Sequence, residues 1–237
     1  MKFYNYLNEE INKKSFEKVV QDCWPYLKEL KKSGYNFLLS GRKNVKHDNF
    51  IKKKVRKNRK PKDMDPKIQK KLDKAFNELF GVRPRSSSIF TTTKDYTADE
   101  YGNVHYVFPV GKYQLMYSEE IKDLFSDFSY YAERLVNVPF WTLFSFFENN
   151  PKKVFYPKES YLYTQLGRKE LPFSVTPREF NKITKEVVES VVEKYEKTTK
   201  IPKNYSGEIM LICDEVRLYY YHHNEKNNMI KMINNYL

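Results

Sequence analysis

NYSGEIMLICDEVRLYYY, residues 204–221, is the stretch whose reading decides the fold. Gly207 and Glu208 open an apolar run at 209–213, a charged turn follows at Asp214 and Glu215, and a second run rich in β-formers fills 216–221. Apolar β-formers on both sides of a short polar break read as two strands or one hairpin. Glu208 then stands at the mouth of the first strand, as a solvated edge charge or as a group facing a cleft. Tyr219, Tyr220 and Tyr221 alternate faces, so at least one packs in the core.

Upstream of this stretch, Thr176-Pro177-Arg178-Glu179 is a capping box with Pro at the first helical position, opening a helix to about residue 197. Residues 118–150 have a helical pattern interrupted at Pro139, with the aromatics of 139–147 in the core, and 151–175 are irregular. VHYVFPV (104–110) and KYQLMY (112–117) read as strands on either side of Gly111, and 97–101 as one helical turn. SSSIFTTT (86–93) reads as a short strand leaving a basic turn that carries Arg83 and Arg85. Asp65 and Pro66 cap a helix through Phe80 that Gly81 closes, a better account of Asp63 and Asp65 than a nuclease pair. YNFLLS (35–40) reads as a strand leading to Gly41 and Arg42, and 3–33 as helical, with Phe16, Val19, Cys23, Leu27 and Leu30 at helical spacing. The tail from 222 forms a last short helix. This order is α+β, without regular βαβ alternation, in a single domain over 1–237 with N-terminal helices in 1–34.

A chain of 237 residues with 40% hydrophobic and 16% aromatic content buries a sizeable core. Cys23 and Cys213 have no metal or redox spacing and read as buried thiols in a reducing, cytoplasmic setting. The N-terminus lacks an apolar signal-peptide core, and the longest aromatic-rich run, PFWTLFSFF at 139–147, is far too short to span a membrane. His222 and His223 stand without Cys or carboxylate ligands in pattern, so no metal is expected. Net charge is +13 and concentrates in a basic loop at 42–64, which includes Lys52, Lys53, Lys54, Arg56 and Arg59. Such a segment is either a solvated loop or a polyanion site, nucleic acid above all.

Three polar features begin or end strands: Arg42 in LLSGRK (38–43), the hydroxyl run in IFTTTK (89–94), and Glu208 in SGEIML (206–211), followed by RLYYY (217–221). In that order they resemble the arginine–serine–glutamate signature of ADP-ribosyltransferases, with threonines in the serine places. The chain also resembles a group of bacteriophage proteins of that fold through DCWPYLKELK (22–31), VRKNRKPKDM (55–64), LFGVRPRSSSIFTT (79–92), and DEYG with HYVFPVGKY (99–113). Together these cover roughly residues 20–125 and the closing strands.

The resemblance implies a split β-sheet core that binds NAD as substrate without a metal, and makes 118–200 an inserted helical block. Arg42 would pair with a diphosphate oxygen of NAD. Thr91 or Thr92 would hold the active-site backbone and orient the glutamate or the nicotinamide ribose, and Tyr101 would stack on nicotinamide. Glu208 would be catalytic, stabilising the oxocarbenium charge that develops as the glycosidic bond breaks. Arg83 and Arg85 read first as surface charges, with Arg85 a candidate ligand for the cofactor. Many protein-modifying members carry Glu or Gln two residues before the catalytic Glu, and here that residue is Ser206. The acceptor is thus open: nucleic acid, a host protein or water. The alternative is a catalytically inactive basic protein of the same fold that binds nucleic acid or sits in a virion.

Overall fold

The two apolar runs of 204–221 are two strands rather than a hairpin, and they lie in different sheets. The computed structural model describes residues 2–43, 50–60, 64–136, 140–156, 174–203, 205–221 and 226–237. Asp63, Pro139, His222, His223 and most of 151–175 lie outside them. In chain order the elements are α1 (Lys2–Lys32), β1 (Leu39–Arg42), β2 (Ile51–Lys54), α2 (Pro66–Phe80), α3 (Pro84–Ser87), β3 (Ile89–Thr91), α4 (Asp95–Asp99), β4 (Asn103–Pro109), β5 (Gln114–Tyr117), α5 (Leu124–Val136), α6 (Phe140–Asn149), α7 (Pro177–Glu193), β6 (Glu196–Thr198), β7 (Ile209–Ile212), β8 (Glu215–Tyr220) and α8 (Lys226–Asn234). The architecture is mixed α+β, with two antiparallel four-stranded sheets ordered β1-β4-β8-β2 and β3-β7-β5-β6.

The sheets meet at one place. Leu39 of β1 and Thr92, just after β3, form an antiparallel bridge with reciprocal N–H to O=C bonds of 2.8 and 2.9 Å. β1 and β3 are the edge strands of their sheets on either side of this bridge.

Alternation explains why β7 is apolar throughout. Ile209 and Leu211 face a core shared with the first sheet, α1 and α8, while Met210 and Ile212 face a second core under α2, α5, α6 and α7. A strand covered on both faces has no polar side, unlike the half-solvated strand that alternates. The helices of 118–200 therefore roof one face of the second sheet together with α2, which precedes them.

Local chemistry sets the boundaries. Asp65 accepts from the Lys67 and Ile68 amides at 2.7 and 3.4 Å, Pro66 opens α2, and Gly81 ends it at φ 71°. Thr176 and Glu179 form the reciprocal capping box of α7. Pro25 lies inside α1, and the helix kinks at Cys23 (φ −114°, ψ 18°), as expected where proline removes a donor and crowds the preceding turn.

Three expectations are corrected and one is refined. The basic segment 42–64 is not a continuous loop: β2 pairs with β8 as an edge strand. The block 118–200 is not all helical, because β6 pairs with β5. The two strands read on either side of Gly111 are β4 and β5, and they belong to different sheets, so the turn there is a crossing between sheets. The strand read at 35–40 begins only at Leu39, because Gly34 and Tyr35 both take positive φ in the turn leaving α1.

Candidate active site

The site is built around Glu208, immediately before β7. The residue before it has a steric reason to be glycine: a Cβ on Gly207 would lie 2.4 Å from the Tyr205 hydroxyl and 3.0 Å from the Lys122 Cα. That close approach lets the Glu208 amide donate to the Lys122 carbonyl at 2.8 Å. Tyr205 anchors the same turn from below, donating to the Ser118 carbonyl at 2.6 Å, with the Lys122 ammonium 4.4 Å from its ring centre.

The three threonine hydroxyls all reach this segment. Thr91 donates to the Ile209 carbonyl at 3.0 Å, Thr92 to the Ser206 carbonyl at 3.3 Å, and Thr93 to the Tyr205 carbonyl. Thr91 and Thr92 are each only 4% exposed. They hold the backbone on both sides of Glu208, and their burial leaves little surface for direct cofactor contact.

Arg85 is not a surface charge. It is 7% exposed, and its guanidinium donates to Glu208 Oε1 at 2.9 Å, with the Glu208 side chain 18% exposed. The arginine is placed from its backbone: the Asp73 carboxylate on α2 accepts from the Arg85 and Ser86 amides at 3.0 and 3.4 Å. The Arg85 guanidinium also lies 4.6 Å from the Phe90 ring centre, and that of Arg59 lies 4.0 Å from the same ring. In the β3–β7 register Phe90 faces Met210, so Phe90 and Glu208 project from the same face of the sheet.

Burial pushes the Glu208 carboxyl above its ordinary range; Arg85 and Arg59 pull it back, and Asp123 adds to the rise. Burial and the nearby Arg59 and Arg56 guanidiniums depress Arg42, so an anion arriving there would relieve both strains. Nε of Arg42 is enclosed and has no hydrogen-bond partner among the described residues. Arg42 is tied to the seam by position, three residues beyond Leu39, and to the glutamate by Arg59, which acts electrostatically on both. Tyr101, 57% exposed, packs against β1 at Gly41: a Cβ on Gly41 would meet the Ala98 carbonyl oxygen at 1.9 Å and the Tyr101 Cβ at 2.9 Å.

The basic residues divide. Lys52 is paired with Glu215 at 2.6 Å across the β2–β8 ladder. Lys54 and Arg56 are exposed, Lys53 is half-buried, and none of the three has an ion pair among the described residues. Arg59 turns inward, its amide donating to the Ser86 carbonyl at 2.9 Å and its carbonyl accepting from Gln69 at 3.0 Å.

No protein-family model, curated protein or solved structure matches the chain. The roles of these residues therefore rest on geometry. Sequence reasoning missed Asp73, Asp123, Tyr195 and Tyr205, each of which holds, surrounds or electrically biases Glu208. It also missed the Arg85–Glu208 pair, since no spacing rule links residues 123 apart in the chain. The glycine before Glu208 was the one local signal of a tightly packed turn.

Proposed function

We propose that the chain is an NAD-dependent mono-ADP-ribosyltransferase with Glu208 as its catalytic carboxylate. The observation that carries this reading is the seam: one bridge joins β1, which ends at Arg42, to the threonine run after β3, and the threonine hydroxyls are bonded to the backbone on both sides of Glu208 at the start of β7. Arg42 binds a diphosphate oxygen of NAD, for which its guanidinium, with an enclosed Nε that has no partner among the described residues, is suited. Thr91 and Thr92 are positioning residues. Tyr101 offers an exposed ring near Gly41 of β1 for the nicotinamide. Glu208, whose burial-driven rise is opposed by Arg85, acts as the carboxylate and stabilises the cationic anomeric carbon as nicotinamide departs.

The Arg85–Glu208 ion pair favours one other reading, in which the carboxylate is only a buried counter-ion and the chain is a non-catalytic, polyanion-binding protein of the same fold. Titration with NAD separates them. The transferase reading expects saturable binding that is lost in Arg42→Ala, together with release of free nicotinamide. A folded protein that neither binds NAD nor releases nicotinamide supports the counter-ion reading and ends the first.

A further inference from the structure

Resting on that transferase reading, we infer that the acceptor is a nucleic-acid strand and that its attacking atom is a terminal phosphate oxygen. Two independent observations lead there. The first is the basic track. The nine residues from Lys52 to Lys60 carry seven cations and no acid, and would cover about 25–30 Å if extended at about 3.3 Å per residue. Its outer part, Lys53, Lys54 and Arg56, has no carboxylate partner among the described residues, and its inner end is Arg59, held over Phe90 and acting on both Arg42 and Glu208. A track of that length fits successive phosphates of a strand, whereas one phosphorylated side chain would need a single cradle. Exposed Tyr96 (61%) on α4 adds an aromatic face of the kind that unpaired bases stack on.

The second observation concerns the proton. Transfer breaks the bond from the anomeric carbon to nicotinamide, which leaves with the electron pair, and forms a bond from that carbon to the acceptor atom. A hydroxyl or amine acceptor must also surrender a proton to a base. Among the described residues, the ionisable groups that act with Glu208 are Arg85, Arg59, Tyr195, Tyr205 and Asp123, with Asp127 and Glu119 acting on the tyrosines. Burial raises both tyrosines, which keeps them protonated, and the arginines are cations. The Asp123 and Asp127 carboxylates are both turned to the start of α5, Asp123 Oδ1 accepting from the Ser126 amide at 2.7 Å and Asp127 Oδ2 from the Lys122 and Asp123 amides at 2.7 and 3.2 Å, and Glu119 is exposed. Ser206 has no basic group to offer. A terminal phosphate oxygen arrives already ionised, so it needs no base, and the arginines that surround the glutamate attract it.

The test uses the full chain with labelled NAD and single-stranded RNA and DNA of one mixed sequence, each with a 5′-phosphate or a 5′-hydroxyl. Free nicotinamide is measured in parallel. Label is expected on the 5′-phosphorylated strands and at least tenfold less on the hydroxyl forms; the RNA and DNA arms show which sugar is accepted. The double variant Lys54→Glu, Arg56→Glu is expected to lower strand labelling at least tenfold per nicotinamide released. Equal labelling of phosphate and hydroxyl forms overturns the assignment of the atom. Nicotinamide release with label only on protein or in free ADP-ribose overturns the nucleic-acid acceptor while leaving the transferase reading intact. No nicotinamide release with any strand overturns both.

Discussion

A carboxylate with most of its surface removed from water needs a reason to stay charged, and for Glu208 that reason is Arg85. Removing one partner of a buried pair leaves an uncompensated charge, which costs about 3–5 kcal/mol. Arg85→Met is therefore expected to lower stability by about 3 kcal/mol at neutral pH, read by denaturant unfolding. The sign of its pH dependence follows from the direction of the Glu208 shift. Burial raises the folded-state pKa and Arg85 opposes that rise, so the variant raises it further. Protonation then removes the lone charge, and the deficit should shrink as pH falls through the raised value. Activity responds oppositely because it needs the ionised form: the acid limb of nicotinamide release should move to higher pH in Arg85→Met. Asp123 pushes the same carboxyl upward, so Asp123→Asn should move that limb to lower pH. Limbs that coincide with the parent in both variants would show that Glu208 is not the titrating group.

The elements that announce themselves in sequence are those whose ends are written in local chemistry. Thr176 and Glu179 close a capping box, and α7 begins where it places it. Thr176→Ala is expected to cost about 1 kcal/mol, lowering the melting midpoint by about 2–4 °C in a chain of this size; an unchanged midpoint would contradict the cap. The strands were less legible. β2 lies inside a run of lysines with little β-propensity, and it exists because β8 offers an edge on which Lys52 meets Glu215. β6 is likewise a three-residue strand defined by its partner β5. The contact of α4 with β1 makes its own demand. Gly41 leaves no room for a side chain, so Gly41→Ala should displace Tyr101 and weaken NAD binding at least several-fold by titration. Affinity equal to the parent would remove Tyr101 from the site.

At the scale of the whole molecule, the site exists because two sheets share one bridge. The order of Arg42, the threonine run and Glu208 was readable along the chain, as was the α+β class. Their arrangement was not, because it depends on β7 pairing with β3 while β8, three residues on, pairs with β4 in the other sheet. No periodicity encodes that exchange. The helical block was likewise readable as helices but not as a roof, since its role appears only when Met116, Met210 and Phe90 turn toward it. A ligand bound across the seam would tie both sheets together. NAD at about 100 times its dissociation constant should therefore stabilise the fold by about 2.7 kcal/mol, visible as a rise in melting temperature. Arg42→Ala should abolish that rise.

The most direct measurement is nicotinamide release from NAD by the parent chain and by Glu208→Gln, with circular dichroism confirming that both are folded. The account expects release by the parent and a loss of at least a hundredfold in the variant. Equal turnover by the two proteins, or none by the folded parent, would contradict it.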